Sequence, residues 1–178
     1  MAASEYRLKV TSFKMMTPTV FELAFETLEK VKPEAPDLAF EAGQFISIVI
    51  PGAGPSGRDL RRAYSIASEP EAHPVELCVK LVEEGPGTNY LYKLRPGDVF
   101  RGFAPYGDFV YETKPERHAC FISTGTGLAP FRSMIRSKHY ASNRPASATC
   151  LLGVRDEAEL IYMDEFAELK DSVRWVPC

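Results

Sequence analysis

The sequence predicts an antiparallel β-barrel followed by a smaller α/β domain built on a parallel sheet, and three observations carry that expectation. From Tyr6 to Phe109 the chain reads as short β-rich segments separated by Pro, Gly and charged turns, which is the spacing of a barrel or sandwich. After a polar connector from Glu112 to Arg117 the order becomes strand, helix, strand, helix, strand, as in a parallel sheet wrapped by helices. Each half also carries a glycine loop at the start of a helical stretch, Gly85-Pro86-Gly87-Thr88 and Thr124-Gly125-Thr126-Gly127. The division falls near Lys114, giving domains 1–113 and 114–178.

In the first half the expected strands are Tyr6 to Thr11, Val20 to Phe25, Phe45 to Ile50, Ala63 to Ile66, Val75 to Val82 and Val99 to Phe103. Their β-branched and aromatic residues suit a pleated, half-buried surface. In the fifth, Leu77, Val79 and Leu81 alternate with Cys78 and Lys80, so one face is apolar and the other is free to meet a ligand. Pro51 to Gly57 reads as a flexible hairpin loop. Asn89 to Leu94 is the one helix expected in this half, closed by Arg95-Pro96-Gly97-Asp98, a stop signal. In the second half the strands are Ala119 to Ser123, Ala148 to Gly153 and Val173 to Val176, with helices over Ala129 to His139 and Met163 to Leu169.

Composition narrows the class. With 178 residues, 45% hydrophobic and 25% charged, the chain buries a core without staples, as ordinary globular proteins do. The net charge is -3 and the basic residues are dispersed, which argues against nucleic acid as a partner. Cys78, Cys120, Cys150 and Cys178 form no close pair, so neither zinc nor an iron-sulfur cluster has local support and no metal site is expected. The first three lie in apolar runs and read as buried free thiols of a reducing compartment. The N-terminus has no basic segment followed by an apolar core, and no stretch is long enough to span a bilayer; the cytoplasm is the default. His73, His118 and His139 are scattered, without the spacing of a hydrolytic triad.

The residues that can carry chemistry lie in the glycine loops and on the strands beside them. Arg62 offers a rigid fork of donors that matches phosphate oxygens, although an isolated arginine is more often solvated. Tyr64 is either a core tyrosine or a flat face for an isoalloxazine ring. Ser65 is unremarkable at a strand end, or it places a hydroxyl near flavin N5. Gly87 and Thr88 open a helix whose free N–H groups favour a phosphate, with Thr88 as the N-cap. The loop ending at Gly127 stands where a dinucleotide-binding turn belongs, between strand and helix. Its Pro130 suits the first helical turn but replaces the third glycine of the usual spacing. Lys80 reads as a solvated charge, and Asp156, Glu157, Glu159, Asp164 and Glu165 as an exposed acidic face.

Taken in order, Arg62-Ala63-Tyr64-Ser65, Cys78-Val79-Lys80, Gly85 to Leu91, Pro105 to Phe109 and Thr124 to Pro130 resemble the ferredoxin-NADP reductase family. The likeness is to its plant-type branch around Arg62 to Ser68 and Phe121 to Ser133, and it runs from about Gly43 to Leu169. The resemblance implies a FAD-binding barrel, a nicotinamide-nucleotide domain, hydride exchange between NADPH or NADH and flavin N5, and electron exchange with a carrier protein such as ferredoxin. Flavodoxin, an oxygenase component and a haem protein are the other acceptors it leaves open. By position it assigns Arg62, Ala63, Tyr64 and Ser65 to FAD, with Ser65 also near the nicotinamide. It assigns Cys78, Val79 and Lys80 to the strand touching flavin and nucleotide, and Pro86, Gly87 and Thr88 to the FAD pyrophosphate. Thr126, Gly127, Val154 and Arg155 would meet the nucleotide.

Family members continue beyond their third parallel strand with a serine-arginine pair, a cysteine-glycine motif and a terminal aromatic, whereas this sequence reaches Trp175-Val176-Pro177-Cys178. The expectation is therefore an incomplete nucleotide domain with an unpaired sheet edge. On that basis a flavin-binding module or fragment without turnover stands as the alternative to an oxidoreductase. A barrel-type interaction protein without cofactor is the weakest reading.

Overall fold

The alternating segments of the first half do build a barrel. The computed structural model describes residues 3–178. Strands β1 (Ser4–Met15), β2 (Val20–Lys30), β3 (Phe45–Ile50), β4 (Leu60–Ser65), β5 (Val75–Lys80) and β6 (Val99–Tyr106) form one antiparallel sheet in the order β4-β3-β6-β1-β2-β5. Its two outer strands approach one another where Ile66 bridges Leu77 and the Ala67 N–H donates to the Glu76 carbonyl at 2.8 Å. The curl leaves little free edge for another chain to pair with. Residues two apart fill the interior: Tyr6, Leu8 and Val10 from β1, Phe21, Leu23 and Phe25 from β2, Ile46 and Ile48 from β3. β1 and β2 are longer than their apolar patterns suggest, because each pairs with two neighbours and Phe13 stacks on Phe21 at 5.1 Å. Pro51 to Gly57 is the β3–β4 hairpin, tightened by Gly54 N–H donating to the Arg58 carbonyl at 2.7 Å.

Helix α1 (Pro86–Lys93) lies against the barrel through Leu91, a fully buried member of the barrel core. It begins three residues before the expected start, since Pro86 occupies the first helical position, where its missing N–H costs nothing.

The second half forms the parallel sheet. β7 (His118–Thr124), β8 (Ser147–Gly153) and β9 (Arg174–Pro177) lie in the order β7-β8-β9, all parallel. The helix expected from Ala129 to His139 is two helices, α2 (Leu128–Arg136) and α3 (Lys138–Ser142). Ser137 breaks it by taking an extended backbone, and its Oγ accepts the Tyr140 N–H at 3.1 Å as the cap of α3. A serine favours a cap over a helix interior for this reason. α4 (Met163–Glu168) completes the set.

Cys78 and Cys150 are buried as expected, but Cys120 is exposed. β7 alternates rather than burying both faces: Phe121 and Ser123 point inward while Cys120 and Ile122 point out, Ile122 being 66% exposed. The two sheets share a core at their seam, where Val20, Ala67 and Cys78 of the barrel half pack with Ala129, Met134 and Phe166. No helix among the described residues is long and apolar enough to cross a membrane.

Candidate functional site

Arg62 and the start of α1, distant in sequence, meet on the barrel surface. Arg62 and Tyr64 are two apart on β4 and share a face, and Gly87 lies directly over both. A Cβ on Gly87 would overlap the Tyr64 hydroxyl and come within 3.0 Å of Arg62 Cγ and 3.2 Å of its Cβ. Only glycine permits this approach of helix to strand. No side chain caps α1, and the N–H groups of Gly87 and Thr88 have no backbone acceptor among the described residues. Donors at a helix start together with the positive end of its dipole are suited to an anion. Arg62 makes no ion pair among the described residues; one of its terminal nitrogens donates to the Arg61 carbonyl at 2.9 Å. A guanidinium without a carboxylate partner among the described residues, on the side chain packed beside a helix start with uncapped N–H groups, fits a diphosphate such as that of FAD.

Thr88 has a different place from the one expected. Gly85, not Thr88, is the N-cap residue. Thr88 sits one turn into the helix, where its Oγ1 accepts the Val82 N–H at 3.2 Å and is also within 3.2 Å of the Gly85 carbonyl. Asn89 Nδ2 donates to the carbonyls of Val82 and Gly85 at 2.9 and 2.8 Å. These bonds hold the loop between β5 and α1 against the start of the helix. Pro86 is exposed at its rim and Ala63 is exposed on the opposite face of β4.

Tyr64 is half-buried, and burial pushes its phenol up to about 12, which keeps it neutral. Ser65 ends β4, where the strand reaches the seam, and its hydroxyl makes no side-chain hydrogen bond among the described residues. Three residues further on, the Ser68 carbonyl accepts from Ser133 Oγ of α2 at 2.6 Å. Ser65 is thus a free donor close to the junction of the two halves.

A cavity of about 640 Å³ opens between the barrel and the C-terminal ends of β7 and β8, the end of an open α/β sheet at which ligands bind. Thr126 of the glycine turn, Val154 and Arg155 after β8, and Lys80 of β5 all line it. Gly125 has φ 49°, a left-handed conformation that favours glycine; Gly127 follows it, exposed. Lys80 is not simply solvated: its Nζ lies 3.2 Å from Glu159 Oε1, across the cavity wall. Two residues assigned by position do not present side chains here. Val79 is 2% exposed and points into the barrel, leaving only its backbone near the cleft. Cys78 is buried in the seam beside Tyr162, and burial pushes its thiol up to about 12.

The seam holds the residues that the sequence reading missed. Arg132 of α2 is 4% exposed, yet it grips Glu165 through Nε and a terminal nitrogen, both at 2.8 Å. Its other terminal nitrogen reaches Glu76 of β5 at 2.6 Å and the Ala67 carbonyl at 3.0 Å, and its guanidinium lies 4.3 Å from the centre of the Tyr162 ring. Burial works against the charge on Arg132, but the bonds to Glu165 and Glu76 outweigh it and hold the group protonated. Arg136 pairs with Glu69 at 2.7 Å and Glu165 at 2.9 Å. The Tyr162 hydroxyl donates to Glu22 of β2 at 2.8 Å. The acidic run is therefore only partly an exposed face, since Glu159 and Glu165 turn inward to meet cations. His118, expected to stand alone, lies 2.6 Å from Ser147 Oγ at the exposed start of the parallel sheet. No cluster of three metal-ligating residues occurs among the described residues.

Comparison with known proteins agrees with this layout. Residues 8–111 match the oxidoreductase FAD-binding domain and residues 121–177 the oxidoreductase NAD-binding domain. The chain is 35% identical over 177 residues to ferredoxin-NADP reductase B of Sorangium cellulosum, covering 97% of this chain and 69% of that one. It is 36% identical to methane monooxygenase component C of Methylosinus trichosporium over 82% of this chain and 42% of the other. The crystal structure of a ferredoxin NADP+ reductase from Neisseria gonorrhoeae with bound FAD and NADP superposes with a TM-score of 0.80 at 26% identity, over 98% of this chain and 68% of that one. The Amycolatopsis cytochrome P450 reductase GcoB gives a TM-score of 0.81 at 28% identity, over 98% and 51%. The chain spans between 42% and 69% of the two curated relatives. With a FAD-binding domain and an NAD-binding domain in that order, it belongs to the ferredoxin-NADP reductase family of oxidoreductases.

Proposed function

We propose that this chain uses FAD to exchange electrons with NADPH or NADH, residues 1–113 holding the flavin and residues 114–178 the nucleotide. When bound, the flavin would supply the two-electron chemistry at N5 and the one-electron steps toward a carrier protein such as ferredoxin. The single observation that supports this most is Gly87 packed over Arg62 and Tyr64, because it puts anion donors and a flat ring side by side. Arg62 and the N–H groups of Gly87 and Thr88 would bind the diphosphate, and Tyr64 would lie against the ring system. Ser65 would donate its free hydroxyl at the reacting edge, where charge develops. Lys80, Thr126, Val154 and Arg155 would orient the nucleotide in the cavity beside it. Orientation and charge placement are what the protein contributes.

The names of the relatives are consistent with more than one acceptor, since one is a ferredoxin-NADP reductase and another a component of methane monooxygenase. The free cysteines suit a reducing cytoplasm. The test is a spectrum of the FAD-loaded protein before and after anaerobic mixing with NADPH and, separately, NADH. Bleaching of the flavin band by either supports the proposal. A protein that takes up no FAD, or one that stays yellow with both nucleotides, refutes it, the second outcome leaving a binding module.

A further inference from the structure

One contact in the nucleotide cavity is out of keeping with a site for a polyanion. The cavity takes its positive charge from Lys80 and Arg155, but Glu159 stands between its walls and claims Lys80 at 3.2 Å. The two residues come from opposite sides of the seam, Lys80 from β5 and Glu159 from the turn after β8. Glu159 is placed there by its backbone. It closes the single 3-10 turn Glu157–Glu159, capped by Asp156 Oδ1, which accepts the Ala158 N–H at 2.9 Å, and its own N–H donates to the Asp156 carbonyl at 2.9 Å. Asp156 and Glu157 consequently face solvent, whereas Glu159 is only partly exposed and faces the cavity. Further along, Tyr162 is fixed by Glu22 at 2.8 Å, so the segment carrying Glu159 is held at both ends.

We infer that Glu159 is a competing anion for Lys80, which an incoming nicotinamide nucleotide must displace by exchanging a phosphate for the carboxylate. This rests on the nucleotide reading of the cavity. In the free molecule the pair keeps Lys80 in place and spans the two halves. On binding, Lys80 changes partner and Glu159 swings out to water, so part of the attraction between lysine and phosphate is spent on breaking the pair. The device weakens binding and speeds release of the spent nucleotide, while penalising any anion too weak to displace the carboxylate.

The test is NADP+ and NAD+ binding to the protein loaded with oxidised FAD, measured by calorimetry and by the shift of the flavin absorption band, since neither oxidised nucleotide can reduce the flavin. Glu159→Gln removes the charge and keeps the shape. Its Kd is expected to fall by roughly 1.4- to fivefold, the range of a partly exposed charge pair, and the gain should shrink at high salt. Lys80→Met should weaken binding, and adding Glu159→Gln to it should gain less than in the wild type, because there is no lysine left to release. Glu159→Ala guards against an effect of the glutamine amide. Unchanged or weaker binding in both Glu159 variants, with wild-type binding normal and Lys80→Met impaired, overturns the role of Glu159 and leaves the nucleotide site standing. A wild-type protein that binds no nucleotide overturns both.

Discussion

Arg132→Met tests whether the buried ion network, rather than the shared apolar core, sets the stability of the seam. The substitution keeps most of the side-chain length and removes the fork. Three partners are affected unequally. Glu165 retains Arg136 at 2.9 Å, but Glu76 loses the cation 2.6 Å away and the buried Ala67 carbonyl loses the donor at 3.0 Å. Breaking a buried pair by removing one partner costs about 3–5 kcal/mol. For a chain of this length each kcal/mol moves the melting point by about 2–4 °C, so the apparent Tm of the FAD-loaded protein should fall by about 6–20 °C. Circular dichroism melts read this directly. Arg132→Lys keeps the charge without the bidentate geometry and should fall between the two. A drop under about 2 °C for Arg132→Met would refute the reasoning, since the surface range of about 0–1 kcal/mol would then describe the pair better than the buried one.

Gly87→Ala drives a methyl into Tyr64 and Arg62; the overpacking costs about 1–3 kcal/mol, and FAD content after dialysis should fall well below wild type while far-ultraviolet dichroism is unchanged. Arg62→Ala should likewise lose flavin, whereas Ser65→Ala should retain it and slow its reduction by NADPH in stopped-flow traces; equal rates would remove Ser65 from the chemistry. Glu22 and Glu69 give opposite pH dependences. Burial raises the Glu22 pKa despite the Tyr162 bond, so its contribution is full below the usual 4.5 and is lost as pH rises through the raised value. Burial also acts to raise Glu69, but the Arg136 hydrogen bond wins and lowers it, so that contribution is present above 4.5 and is lost as pH falls through the lowered value. Glu22→Gln, which keeps an acceptor for Tyr162, should therefore raise the apparent Tm at neutral pH and flatten its decline above pH 4.5; a wild-type decline that persists in the variant argues against Glu22 as its source.

The barrel was legible because a period of two needs only a few residues to declare itself: Leu77, Cys78, Val79 and Lys80 already state which face is inside. The cradle was legible for a similar reason, since each of its halves is a short local pattern and only their meeting required the fold. Ser137 was not, because a serine inside an otherwise helical run gives no sign of whether it will stay in the helix or cap the next one. The seam was the least visible part. Glu22, Glu76, Arg132 and Glu165 come from four elements, and nothing local distinguishes a charge that will be buried against a partner a hundred residues away from one that will face water. One signal did exist. In α2, Arg132 and Ser133 stand between Phe131 and Met134, and an arginine amid the apolar residues of a short helix has to carry its counter-ions inside with it. The bond from Arg132 to Glu76 fixes β5, the strand that ends in Lys80, and the bond from Tyr162 to Glu22 fixes the chain three residues beyond Glu159. Charges that look like surface decoration in the sequence thus hold the two halves at the spacing that makes the cavity a cavity, and a change at Arg132 is expected to reach nucleotide affinity as well as melting temperature.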